Sequence, residues 1–137
     1  MLTAKLINPD LIRALAACGH GDKILIADGN YPLASRTECD EDDLIYLGLT
    51  AGIPTVTDVL EALHSVCEFE KAVVMMPDHG DEPEIFEEFR KELPGVVFEK
   101  AGRYEFYDLC AEDDVKFAVS TGEKRTFANI LLTIGCA

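Results

Sequence analysis

The sequence predicts an α/β fold: a single domain with a central, mostly parallel sheet and helices on both faces. Three observations predict it. Apolar segments of strand length alternate with segments of helical periodicity. The connections between them are short. Several of the apolar segments, Ile24-Leu25-Ile26-Ala27 and Ala72-Val73-Val74-Met75-Met76 among them, are apolar on both faces, as strands are when helices cover both sides of a sheet. No internal repeat, low-complexity tract or linker divides the 137 residues, so residues 1–137 read as one domain with one core.

The elements follow in order. Asn8-Pro9-Asp10 is a helix start: Asn caps, Pro tolerates the first helical position and Asp suits the positive helix end. Leu11, Ile12, Leu15 and Ala16 form its apolar face, and Gly19 can end it. Lys23–Ala27 is the first strand. A long loop with the acidic run Glu38-Cys39-Asp40-Glu41-Asp42-Asp43 leads to Leu44–Leu49, a short strand or helical turn. Thr55-x-x-Asp58 resembles a capping box and opens a helix with Val56, Val59, Leu60, Leu63 and Val66 on one face. Lys71–Met76 is a strand. Pro83 and Glu84 open a charged helix to about Leu93, with Ile85, Phe86 and Phe89 inward. Val96–Glu99 is a strand, Arg103–Leu109 a helical turn or short helix, and Lys116–Ser120 and Ile130–Ile134 are the closing strands.

Composition narrows the function. Hydrophobic residues make up 48% of the chain, which suits a packed core. The formal net charge of -14 argues against nucleic acid, whose phosphates recruit Lys and Arg, and against an anionic membrane surface. A neutral sugar or a cation fits that charge better. No apolar run approaches the roughly 18 residues of a membrane-spanning helix, and the N-terminus lacks the apolar core of a signal peptide. The five cysteines, Cys18, Cys39, Cys67, Cys110 and Cys136, are widely spaced with no Cys-x-x-Cys pair. They read as reduced thiols in a cytoplasmic protein rather than as a zinc or redox motif.

Several residues carry chemistry. His20 stands between Gly19 and Gly21, just past a helix, and histidine exchanges protons near neutral pH. The alternative is a helix-terminating histidine bonded to a backbone carbonyl. Asp28 ends an apolar strand, where α/β proteins bind ligands, although aspartate there also closes its own Asx-turn. The two belong to separate sites, or to one site completed by another subunit. Asp78-His79-Gly80-Asp81 has the donor types of a divalent-ion site but reads equally as a polar loop, and His64 on its helix reads as structural. The acidic run lacks the ligand pattern of an EF-hand loop. Arg103-Tyr104-Glu105-Phe106-Tyr107 mixes a guanidinium with rings that can stack on a sugar, or simply packs aromatic residues beneath an extended Arg. Asn129, after Phe127-Ala128, can both donate to and accept from sugar hydroxyls.

Gly19-His20-Gly21-Asp22, the strand ending at Asp28, Arg103–Tyr107, Thr121-Gly122-Glu123, and Ala128-Asn129-Ile130-Leu131-Leu132 with Gly135 together resemble the RbsD/FucU family of ribose pyranases and fucose mutarotases. The resemblance spans nearly the whole chain. It implies a small α/β protein that assembles as a homo-oligomeric ring, commonly a decamer of two pentamers, with sites at subunit interfaces. It implies conversion between anomers or ring forms of a free monosaccharide, with no metal or redox cofactor. On this resemblance His20 is the acid/base, while Asp28, Arg103 and the segment from Phe127 to Asn129 hold the sugar; Tyr107, beside Arg103, is read as a further sugar contact whose hydroxyl can relay a proton. Phe127 departs from the family pattern, which usually has Tyr there. Leu44–Pro54 is closer to the ribose branch, whereas Val73–Met76 and Arg103–Tyr107 are closer to the fucose branch, and the balance favours L-fucose. The alternatives are a D-ribose pyranase, a sugar-binding transport accessory without catalysis, and an interaction scaffold.

Overall fold

A computed structural model describes all 137 residues. Six strands form one sheet: β1 (Lys23–Ala27), β2 (Leu44–Tyr46), β3 (Phe69–Met75), β4 (Val97–Ala101), β5 (Val115–Ser120) and β6 (Ile130–Ile134). Four helices connect them: α1 (Pro9–Ala16), α2 (Val56–His64), α3 (Ile85–Glu92) and α4 (Arg103–Cys110). The predicted helix starts are present. Asn8 Oδ1 accepts from the Leu11 N–H at 3.0 Å. The Thr55 hydroxyl and Asp58 carboxylate exchange bonds with each other's backbone N–H groups at 3.1 and 2.8 Å, a capping box of the kind that stabilises a helix by about 1 kcal/mol.

The strand order is β2-β5-β1-β6-β3-β4. β2, β5 and β1 run parallel, as do β3 and β4, while β6 lies antiparallel between β1 and β3. This one reversal positions the site. Ile26 pairs with Ile130, so the residues entering β6 lie beside the residues leaving β1.

Both sheet faces are covered. Ile24 and Ile26 point to a core shared with Leu11, Leu60, Leu63, Phe86, Phe89 and Phe117, beneath α1, α2 and α3. Leu25 and Ala27 point the other way, onto Tyr31, Leu33, Phe106, Tyr107 and Cys110 from α4 and the loop after β1. Strand geometry makes this alternation, and burial of each large side chain contributes about 1.5–3 kcal/mol.

Two ambiguous segments resolve. Within Leu44–Leu49, only Leu44–Tyr46 is strand, a three-residue edge strand preceded by a 3₁₀ turn at Glu41–Asp43, and the turn is tied to α1 by Arg13, which bonds the Asp42 carbonyl at 2.9 Å. Arg103–Cys110 is a full two-turn helix because Phe106, Tyr107 and Cys110 are buried on one side of it.

Candidate functional site

The carboxyl ends of β1 and β3, the start of α4 and the segment entering β6 enclose a cleft of about 200 Å³. Five of the six site residues read from the sequence line it: Asp28, Arg103, Tyr107, Phe127 and Asn129. Asp28 is buried just past β1. Its Oδ1 accepts from the Asn30 N–H at 2.9 Å and its Oδ2 from the Ala128 N–H at 3.3 Å. Asp28 thus closes an Asx-turn while also lining the cleft. Burial pushes its carboxyl above the ordinary carboxylate range, while these backbone bonds pull the other way.

Asn129 is oriented by Asp28 in return: its Oδ1 accepts from the Asp28 N–H at 2.8 Å. Its Nδ2 faces only the sulfur of Met75 at 3.9 Å, a weak acceptor, which leaves donor capacity for a ligand. Phe127 has a φ of 57°, in the left-handed region, which costs a non-glycine residue about 1–2 kcal/mol. Such strain persists when the surroundings over-determine it. Here the Asp28 carboxylate holds the very next N–H, that of Ala128.

Arg103 and Tyr107 are one turn apart on α4. Arg103 Nε donates to the Tyr107 hydroxyl oxygen at 3.1 Å, which leaves the phenolic O–H free to donate into the cleft. The Tyr107 ring is fixed by the edge of Tyr31, with centroids 5.3 Å apart, and by the guanidinium of Arg36, 4.8 Å from its centroid. Sequence reasoning did not find Arg36, Asn30, Tyr31, Met75 or Thr126 at this place. For Asn30 and Met75 a signal existed, since both stand at the carboxyl end of a strand.

His20 lies elsewhere. It sits before β1, at the opposite edge of the sheet, and β1 alone separates the two edges by about 15 Å. The turn is built by Gly21, whose φ of 88° suits glycine and whose N–H donates to the Ile134 carbonyl at 2.9 Å. The ring is exposed, and its Nε2 is 3.0 Å from Glu70 Oε2. It stands on the rim of a shallow hollow of about 490 Å³ shared with Val66, Cys67 and the residues after β6.

The other candidates are placed as follows. His64 Nδ1 is 3.0 Å from Glu92 Oε1, and its ring packs beside Phe69. No three His, Cys, Asp or Glu side chains converge as a metal site, at Asp78–Asp81 or elsewhere. No helix is long and apolar enough to cross a membrane. Thr121-Gly122-Glu123 packs into the base of the segment that carries Phe127. Gly122 passes so close to the loop before α2 that a Cβ would meet the Ile53 carbonyl oxygen at 2.5 Å.

The model of the RbsD / FucU transport protein family matches residues 1–137. A D-ribose pyranase of Paracidovorax citrulli (strain AAC00-1) is 34% identical over 98% of this chain and 98% of its own. Two solved structures share the architecture. The fucose mutarotase of Streptococcus pneumoniae in complex with L-fucose has a TM-score of 0.80 at 28% identity, covering 96% of this chain and 94% of its own. Bacillus subtilis RbsD complexed with D-ribose has a TM-score of 0.81 at 26% identity, covering 100% and 99%.

Proposed function

The chain belongs to the RbsD / FucU transport protein family, and on that premise we propose that it is a cofactor-independent isomerase that interconverts the anomers of a free monosaccharide, L-fucose foremost. The observation that carries this reading is the convergence of Asp28, Arg103, Tyr107, Phe127 and Asn129 on one cleft of about 200 Å³. That is below the roughly 300–1,000 Å³ of sites for drug-sized ligands, and it suits one sugar ring. Arg103, Asn129 and the Asp28 carboxylate offer donors and an acceptor for hydroxyls. The Tyr107 ring, Phe127 and Met75 offer an apolar wall. A 6-deoxy sugar such as L-fucose presents a methyl group to such a wall, which D-ribose lacks.

Mutarotation needs two proton movements. An acid protonates the ring oxygen and a base takes the proton of the anomeric hydroxyl. The bond between the anomeric carbon and the ring oxygen breaks, its electron pair goes to that oxygen, and an open-chain aldehyde forms. The aldehyde rotates and the ring recloses on its other face, returning both protons. No electron leaves the sugar. In this proposal His20 is one proton carrier, a role typically worth about 100- to 10,000-fold in rate, and the Tyr107 hydroxyl relays the second proton.

His20 reaches a cleft only if another subunit presents it. The surface supports such a contact. Exposed Leu49 and Ile53 lie near the cleft edge of the sheet, and exposed Leu2 and Val66 lie near the His20 edge. Apolar patches at opposite ends of one chain pair head to tail, and a head-to-tail contact that closes makes a ring. The proposal is therefore a cytoplasmic homo-oligomeric ring, a decamer in its commonest form, with His20 of one subunit at the cleft of the next.

NMR saturation transfer between anomers, with L-fucose, D-ribose and D-galactose side by side, tests the function. We expect the largest acceleration with L-fucose. Larger acceleration with D-ribose selects a pyranase, the reading that the ribose-like segment Leu44–Pro54 favours. Sugar binding without faster exchange for any of the three contradicts the enzyme and selects the accessory role.

A further inference from the structure

The segment from Thr121 to Asn129 forms one wall of the cleft, and an ionic chain ties it to two helices on the far side. Glu123, only 4% exposed, accepts from the Val56 N–H at the start of α2 at 3.3 Å and from Arg125 Nε at 2.9 Å. The Glu123 carbonyl also accepts from the N–H of Gly29, the residue after Asp28, at 2.9 Å. The other end of the Arg125 guanidinium bonds Glu88 on α3, and Glu88 in turn accepts from the Thr57 hydroxyl of α2 at 2.8 Å. Two residues beyond Arg125, Phe127 stands in its left-handed conformation against the cleft. Lys124, Thr126 and Phe127 make no side-chain hydrogen bond. Arg125 is thus the nearest side-chain tie on the N-terminal side of Phe127, as Asp28 is on the C-terminal side.

We propose that Arg125 and Glu88 are positioning residues for the sugar: their ion pair, spanning from the cleft wall to α3, sets where Phe127 and Asn129 meet the ring. This rests on the cleft being the sugar site. The pair touches neither proton carrier. His20 lies at the other edge of the sheet, and Tyr107 is held by α4, Tyr31 and Arg36. Loosening the wall should therefore weaken binding and spare the chemistry. A guanidinium that engages Glu123 and Glu88 at once uses its planar fork, which a lysine ammonium lacks, while lysine keeps the charge.

The test is anomeric exchange at varied sugar concentration for wild type, Glu88→Gln and Arg125→Lys, each accompanied by a thermal melt. Glu88→Gln leaves the buried Glu123 paired with Arg125, so the chain keeps its core. We expect Glu88→Gln to raise KM about tenfold with kcat within about twofold, the pattern of lost ground-state and transition-state binding alike. Arg125→Lys keeps the charge but loses the fork to both Glu123 and Glu88, so it should raise KM at least as much as Glu88→Gln, again with kcat within about twofold. Unchanged KM in either variant overturns the proposal, as does a fall in kcat at constant KM. Failure of the functional reading itself looks different: the wild type then neither binds nor equilibrates any of the sugars.

Discussion

Tyr107 combines contacts that fit a proton relay. Its oxygen takes the Arg103 Nε–H, its ring is pinned by Tyr31 and Arg36, and it is buried while still lining the cleft. Replacing Tyr107 with Phe removes one oxygen and preserves the ring packing. With the proposed relay, kcat falls about 100-fold, and the melting temperature stays within a few degrees because the fixing contacts belong to the ring. Exchange NMR and a melt measure both, and an unchanged kcat removes Tyr107 from the mechanism. The sequence already placed Arg103 and Tyr107 together, since four residues on a helix is one turn. It could not show Arg36, which comes from an irregular loop with no periodicity to read. Phe127 brings no hydroxyl to the cleft, but its backbone is held from both sides, by Arg125 and by Asp28.

At the scale of elements, the network that anchors the cleft wall also carries a pH signature. Arg125 holds the Glu88 carboxyl below the ordinary range. For Glu123, burial acts to raise the carboxyl, but the bonds from Arg125 outweigh it and the net direction is downward. A carboxyl whose folded pKa is lowered contributes stability above its unfolded pKa, and that contribution is lost as pH falls through the folded value. Glu88 is substantially exposed, so solvent screens the pair and its contribution is modest. Glu88→Gln should melt about 2–3 °C below wild type at neutral pH. That difference should begin to shrink as pH drops below the ordinary glutamate value of about 4.3 and vanish only below the lowered folded value. A difference that does not shrink at all between neutral pH and pH 3 would mean that packing, not charge, is what Glu88 supplies. The pairing itself was not legible in the sequence. Glu88 and Arg125 are distant in the chain, and only the sheet order brings α3 beneath the segment entering β6. The helix starts at Asn8 and Thr55 were legible because caps are local, and the strands were legible because both their faces are apolar.

At the scale of the whole molecule, strand order decides what a single chain can do. The apolar segments predict a mostly parallel sheet, but nothing local marks β6 as the reversed strand between β1 and β3. That reversal delivers Phe127, Ala128 and Asn129 to Asp28. The direction of β1 carries His20 to the opposite edge. One chain therefore holds the proposed sugar cleft at one edge of the sheet and the proposed acid/base at the other. In the proposed ring, the exposed apolar residues near each end are the surfaces through which copies would meet.

The central claim is that catalysis occurs where His20 of one subunit enters the Asp28 cleft of another. Subunit mixing tests it most directly. His20→Ala and Asp28→Asn chains are prepared separately, then unfolded and refolded together in equal amounts, and exchange is measured by saturation transfer. Each variant alone should be inactive. In mixed rings about a quarter of the sites combine an intact His20 with an intact Asp28, so about a quarter of wild-type activity should return. Mixed assemblies that stay inactive, or a His20→Ala protein that exchanges anomers at the wild-type rate, would contradict the account.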